Sequence, residues 1–438
     1  MHHKLNIIKK DIVVLGGGIA GLAAAVKAGR MGARVLLIER YPFIGGMATA
    51  GMVSPFMRYK TDEYVLVRGI FEELQSVMNE QQGMLENGFR ADVFRFAART
   101  LLEQAGVEVW TQAELTGVKR HSRKIESLEV LHGNYLKQVQ ANYFIDTSGD
   151  AQLAHLAQLP TLQGREDTAV SQTMTLFFRM GGIDFQPIQE QVLNDPDNFF
   201  AWVNPQPDAT GIVSIAGFFK EAKIAQEQKR LDETIDYIFF NSLPGKGEAS
   251  FNTTAVNEFS SIRSEDLTQA EFLANHQVHQ VVDMLKKDIQ GFENAYLIET
   301  ATQIGVRESR RIVGDVVLQA VSIRSGEKFA DKIARGCYGV DIHGNTGEDD
   351  IMEELAEDTW YDVPRGTLIA RDADNLLAAG RCLSASFEAH GALRIMPTST
   401  ATGEACGAWA ALAQKQSSTL RDVKIESLQA QITHNIEA

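Results

Sequence analysis

The sequence predicts an α/β fold: a Rossmann-like domain with a parallel sheet, carrying an inserted α+β substrate or cap domain. Three observations point to it. A β-branched run, Asp11 to Leu15, leads into a glycine-rich turn, an Ala-rich stretch and a second apolar run ending in an acid. Strand and helix patterns alternate again at 90–157 and 374–414. Between 166 and 295 that alternation disappears.

The first unit reads as follows. DIVVL (11–15) is a buried strand, IAGLAAAVKAGRMG a helix stopped near Gly32, and RVLLIE (34–39) a second buried strand. Gly16, Gly18 and Gly21 form GxGxxG between strand and helix. Gly16 permits the tight turn, and Gly18 lets the backbone approach a pyrophosphate. Gly21 lets the helix pack on the strand, so that phosphates sit at a helix N-terminus beside Ile19 and Ala20. Glu39, ending the second strand, can accept hydrogen bonds from an adenosine ribose. The alternative is a Gly-rich turn with no ligand. FAD and NAD both carry that ribose, so the unit alone does not separate them.

Farther along, 90–106 reads as a helix delivering Val107 to Trp110 as a strand to the same sheet. ANYFIDTSGDAQLAHLA (141–157) gives a strand, a turn from Thr147 to Asp150 and a helix; Asp150 is either part of a ligand turn or a helix cap. Leu376 to Ala379 is a buried strand ending at Gly380 and Arg381, and 388–414 reads as a Pro-broken loop entering a helix of small residues that include Ala401 and Thr402. In the middle, 168–184 reads as a strand, and Pro187, Pro196, Pro205 and Pro207 mark loops. There follow a short strand or helix at 211–222, a helix at 225–241, a strand-like stretch at 247–259 and an amphipathic helix at 267–291. The expected domains are a cofactor domain from 1–165 and 366–415, an inserted substrate or cap domain at 166–295, a shared return segment at 296–365 and a tail at 416–438.

After Glu39 and Arg40 comes YPFIGGMATAGM, with Gly45, Gly46 and Met47. Here the chain resembles the FAD-dependent oxidoreductases of the glutathione-reductase-like, two-dinucleotide-binding-domain superfamily. The motifs GRCLSAS, HGALRIMPT and ATGEACG resemble a bacterial subgroup of them. The resemblance covers 10–165 and 295–412. It implies FAD as cofactor, with the Gly45-Gly46 loop running beside the flavin and Gly149 and Asp150 in a turn near it. Ala401 and Thr402 would lie at a helix start against the isoalloxazine. After Gly380 the superfamily commonly has an Asp that holds the ribityl chain; this chain has Arg381. Either the Arg pairs with a phosphate or neighbouring backbone takes over the Asp's task.

The 438 residues are 44% hydrophobic and 23% charged, with ample material for a large core and, at roughly 150 residues each, two or three domains. A net charge of -15 repels phosphate backbones and anionic lipid, so neither nucleic acid nor membrane is expected as a partner. Cys337, Cys382 and Cys406 form no CxxC pair, which fits a reducing cytoplasm and no structural metal. The start of the chain does not read as a signal peptide, and 12–26 is too short and Gly-rich to span a membrane.

Arg307, Arg310 and Arg311 flank Glu308: a cationic clamp for an anion or reduced flavin, or surface ion pairs with Glu308 and Asp315. His276 and His279 read as solvated helix residues. His343 and His390, in Gly-flanked loops, are the candidates for proton transfer, with structural roles as the alternative. The expected activity is FAD-dependent hydride transfer between a small polar metabolite and flavin N5. His390 is the first choice of base and His343 the second, with Arg307, Arg310 or Arg394 holding an anionic group. The alternative is a non-redox dinucleotide-binding biosynthetic enzyme. A second GxGxxG is lacking, so electrons are expected to pass to or from a separate carrier; a homo-oligomer is compatible with the sequence.

Overall fold

The computed structural model describes residues 7–203, 213–344 and 350–437. Pro205, Pro207 and the start of the segment read as a short strand or helix lie outside the described residues. Five parallel strands form the central sheet, in the order Leu376–Ala378, Tyr143–Asp146, Ile12–Leu15, Val35–Ile38, Glu108–Trp110. Both faces are covered, which is why Ile12–Leu15, Val35–Ile38 and Leu376–Ala378 are unbroken apolar runs without alternation. Ile12, Val14, Val35 and Leu37 face a core shared with helices Ile19–Arg30, Ala91–Gln104 and Met396–Gln416. Val13, Leu15, Leu36 and Ile38 face the other side, against Leu115, Ile125, Leu128 and Val130.

Those last residues belong to Ala113–His121 and Lys124–His132, for which the sequence pattern carries no assignment. With Tyr135–Gln140 they form an antiparallel meander, and Ile7–Lys9 adds to it in parallel. The inserted part is a five-stranded antiparallel sheet, in the order Ser214–Gly217, Ile238–Ser242, Ala249–Phe251, Phe178–Gly181, Tyr296–Thr300. Its core is shared with the amphipathic helix, observed at Ser264–Asp288.

Three local expectations are corrected. The helix expected at 225–241 is instead Phe219–Glu227, ended by Lys229 at φ +57°, followed by the strand Ile238–Ser242. The apolar run there is captured by ladders on both sides, which outweigh helical propensity. Of 168–184 only Phe178–Gly181 is a strand, and Met174 and Thr175 make single bridges to Val256 and Gly305. The Pro-broken loop is a helix, Phe387–Leu393, capped by Ser386, followed after two residues by Met396–Gln416 with Pro397 in its first turn. Proline suits that place because the first turn leaves its N–H groups unpaired anyway.

The small residues of that last helix face the first helix. A Cβ on Gly403 would stand 2.1 Å from the Ala20 carbonyl oxygen, and one on Gly407 would stand 2.2 Å from that of Ala24. The glycines of that stripe thus serve backbone-to-backbone contact between helices. Gly407→Ala is expected to lower the unfolding free energy by about 1–3 kcal/mol in a denaturant titration. A loss below about 0.5 kcal/mol would mean that the helices separate without cost.

Candidate active site

A cavity of about 1140 Å³ opens between the carboxyl ends of the parallel strands and the antiparallel sheet, and both contribute to its walls. Open α/β sheets place ligands at that edge because the strand ends and helix N-termini converge there.

The glycine turn forms one wall. Gly16 has φ +97°, and a Cβ on it would lie 2.4 Å from the Thr147 carbonyl oxygen. The Thr147 hydroxyl donates within 2.8 Å to the carbonyls of Leu15 and Gly16, which ties the turn to the neighbouring strand. A Cβ on Gly21 would fall 1.9 Å from the Gly16 carbonyl oxygen, so the glycine there is a packing requirement, as expected. Gly18 differs: it has φ -65°, and a Cβ would meet nothing closer than 3.9 Å. The space above it is open, at the N-terminus of Ile19–Arg30, whose first N–H groups lack helical acceptors. Gly45 donates its N–H to the Gly17 carbonyl at 2.8 Å, so the second glycine loop lies directly against the first. Glu39 is buried, with Oε2 accepting from the Gly17 N–H at 2.6 Å and Oε1 from the Tyr41 N–H at 2.8 Å. Burial pushes its carboxyl up, and these backbone donors and Arg40 oppose that. A carboxylate has about four acceptor positions, which leaves room for ribose hydroxyls. Gly16, Gly18, Ile19, Ala20, Glu39, Arg40, Gly45, Gly46 and Met47 all line the cavity. This wall fits an adenosine diphosphate moiety such as that of FAD.

Next to it stands a brace centred on Arg381. Its Nε donates to the Gly149 carbonyl at 2.8 Å, Nη2 to Asp150 Oδ1 at 2.8 Å, and Nη1 to the Val306 carbonyl. Ser309 donates to Asp150 Oδ1 at 2.8 Å. Asp150 is therefore a partner of Arg381 and not a cap: the helix Gln152–Leu156 is capped by Asp146, whose Oδ2 accepts from the N–H groups of Leu153 and Ala154. Gly149, Gly380 and Arg381 line the cavity, whereas Asp150 stands behind them. Ala401 and Thr402 lie behind it too, where the Thr402 hydroxyl accepts from the Gly380 N–H at 3.2 Å. The wall is reached instead by Arg394, Met396 and Ser399 at the start of the last helix.

A polar cluster lines another part of the cavity. Arg307 donates through Nη1 to the Thr173 carbonyl at 2.6 Å and the Thr175 hydroxyl at 2.8 Å, and through Nη2 to Asn252 Oδ1 at 3.3 Å. All three acceptors are neutral. Burial, with Arg394 repelling it, brings this guanidinium down to about 10, still charged at neutral pH. Asp341 Oδ2 accepts from Tyr338 Oη at 2.8 Å and Arg394 Nη2 at 3.1 Å, and its Oδ1 lies 3.3 Å from His343 Nε2. The charge of Arg307, and then burial, hold His343 well below the ordinary imidazole range, so it is neutral. Gly391 helps to set this up, since a Cβ there would stand 2.6 Å from the Asp341 carbonyl oxygen.

Two expected residues are displaced. His390 lies in the helix Phe387–Leu393, fully buried and off the cavity wall, with Nε2 3.0 Å from the Arg381 carbonyl oxygen. Arg310 is also off the wall, and its Nε donates to the Asp150 carbonyl at 2.9 Å. The third arginine of that cluster, Arg311, makes a buried pair with Glu308, while Asp315 pairs with Arg421 at 2.9 Å. The sequence reading missed Thr173, Thr175, Asn252, Tyr338 and Asp341. The only available signal was the YGVDIHG stretch, which places Asp341 two residues before His343.

The open space at Gly18 sets a test. Gly18→Thr keeps a good N-cap in a permitted conformation, so the cofactor-free protein is expected to keep its stability within about 0.5 kcal/mol. It is also expected to emerge colourless from purification and to take up no added FAD. Full flavin absorbance in that variant would remove the phosphates from this turn.

The profile of the family described as FAD dependent oxidoreductase matches residues 11–432. Digeranylgeranylglycerophospholipid reductase of Thermoplasma volcanium is 26% identical over 193 residues, which is 40% of this chain and 48% of that protein. NADH:fumarate oxidoreductase of Klebsiella pneumoniae is 49% identical over 53 residues, 11% of this chain and 6% of that one. The match thus spans about half the length of the reductase. Among solved structures, flavin-dependent brominase Bmp2 aligns with a TM-score of 0.50 and 12% identity over 97% of this chain and 83% of that one, a likeness of fold. The cofactor is FAD, and with a family profile covering nearly its whole length the chain belongs to the FAD dependent oxidoreductases.

Proposed function

We propose that the enzyme transfers a hydride between an organic anion and FAD, with Arg307 and Arg394 holding the anionic group and His343 exchanging the companion proton. One observation carries this reading: Arg307, a half-buried cation on the wall of the cavity that also holds the nucleotide turn, makes its hydrogen bonds among the described residues to neutral acceptors. Drawing a charge partly out of water against neutral hydrogen-bond partners is costly, and an anion arriving there adds to the stabilisation that the nearby Asp341 carboxylate already supplies. Arg394 already shares its charge with Asp341, which leaves Arg307 as the principal anchor.

When bound, FAD supplies the two-electron acceptor or donor. In the oxidising direction a substrate CH–OH or CH–NH loses a hydride and one proton, and His343 receives the proton. With Nε2 turned to Asp341, the ring proton belongs on Nε2 and the lone pair on Nδ1, the atom that accepts. Asp341, held by Tyr338 and Arg394, orients the ring and offsets the imidazolium charge. In the reducing direction the protonated His343 returns the proton. His390, buried off the wall, has no part in this scheme and supports the Arg381 carbonyl instead.

An anion on Arg307 cancels the leading cause of the low His343 basicity, so binding raises it. Accordingly kcat/KM, which reports the free enzyme, is expected to show no imidazole ionisation between pH 5 and 8. The kcat profile, which reports the complex, should lose activity at a distinctly higher pH on its acid limb. Coincident acid limbs would separate His343 from the anion site. His343→Asn should keep the flavin spectrum and slow flavin reduction at least about a hundredfold. For the reading as a whole, the screen is anaerobic bleaching by hydroxy and amino carboxylates, and reoxidation of the dithionite-reduced enzyme by unsaturated carboxylates. Each acid is paired with its neutral amide, and equal rates for acid and amide would overturn the anion requirement.

A further inference from the structure

We propose that the substrate carries an apolar, preferably aromatic, body beside its anionic group, and that a wall of aromatic side chains at the edge of the antiparallel sheet binds that body. This rests on the anion site at Arg307 and narrows the substrate class from small polar metabolites to amphipathic organic anions. Phe200, Trp202, Tyr237 and Phe239 all line the cavity. They form one continuous surface: Phe200 meets Tyr237 edge-on at 5.0 Å between centroids and stacks with Trp202 at 6.2 Å, and Trp202 meets Phe239 edge-on at 6.0 Å. The surface is far from satisfied by the protein, since Trp202 is 56% exposed and Phe200 37%. Met352, from a different hairpin, lines the same cavity at 73% exposure. Contiguous exposed aromatic area facing a cavity is the composition of a ligand wall, and a small polar metabolite would leave it wet.

Asn252 joins the wall to the cation. The Asn252 N–H donates to the Phe239 carbonyl at 3.0 Å, while its side-chain oxygen accepts from Arg307. Tyr237 is close enough for the charge of Arg307 to act on its phenol. An acid group on Arg307 would therefore lie on the same side of the cavity as the rings. Flat π-systems gain there both from area removed from water and from edge and face contacts with the rings.

The test uses the FAD-loaded enzyme, with perturbation of the flavin spectrum as readout and two probes, 1-naphthoate and acetate. Naphthoate is expected to bind at least about tenfold tighter than acetate. Trp202→Ala should weaken naphthoate about tenfold with acetate unchanged, and Trp202→Phe should restore most of the difference. Arg307→Met should weaken both probes. Naphthoate that binds no tighter than acetate, or not at all, overturns the proposal, as does naphthoate affinity unchanged in Trp202→Ala. Loss of FAD itself from Trp202→Ala also overturns it, because the wall would then serve the cofactor. An Arg307→Met variant that leaves both affinities unchanged would remove the anion site as well, so the two failures are distinguishable.

Discussion

The structure depends on the contact between the helix after the glycine turn and the last long helix. Gly403 and Gly407 let the two backbones approach until the carbonyls of Ala20 and Ala24 occupy the space of the missing side chains. Segments nearly four hundred residues apart in sequence are thereby joined. A buried carboxylate reinforces the junction: Glu404 lies 3.1 Å from Lys27 Nζ and 2.7 Å from His434 Nε2, and its Oε2 accepts from Asn435 Nδ2 at 3.2 Å. The tail is thus anchored to the same place. Because the helices cannot slide without a clash, the strand Leu376–Ala378 is delivered to the edge of the sheet, and Arg394 and Met396 reach the cavity.

On that frame the site is ordered by charge. The nucleotide wall offers backbone dipoles and a buried carboxylate with acceptor capacity left for a ribose. The Arg381 brace is internally neutralised by Asp150 and backbone carbonyls. At Arg307, by contrast, a half-buried cation facing the cavity donates to neutral oxygens. The same charge is the leading cause that keeps His343 neutral, so these two groups of the cavity wall are coupled electrostatically. Burial matters here because the effective dielectric is low and solvent screening weak.

The departure from Asp to Arg at position 381 acquires a structural meaning in this setting. The guanidinium ties the Gly149–Asp150 turn to the segment leading into Arg307. A Cβ on Gly149 would stand 2.7 Å from that guanidinium, so the glycine and the arginine are two halves of one contact.

The parallel-sheet domain was legible in the sequence wherever its signal is local. Strand, GxGxxG, helix, strand and acid lie within thirty residues, where Gly21 answers to a steric demand inside the unit and Gly16 to one from the neighbouring turn at Thr147. The long helix Ser264–Asp288 was legible from its period for the same reason. The polar wall of the cavity was not, because it is assembled from separate stretches: Thr173 and Thr175, Asn252, Arg307, Tyr338, Asp341 and His343, and Arg394. His343 and His390 look alike as loop histidines in the sequence, yet one reaches the cavity and the other is sealed in a helix under it. The small residues of the last helix likewise suit a ligand or a neighbouring helix equally well by composition. The sequence by itself determined the cofactor turn and the cofactor class, since a backbone that must clear phosphates excludes side chains at fixed spacing. Which charges face the cavity was decided only by the tertiary structure, since that depends on side-chain direction and on partners hundreds of residues away.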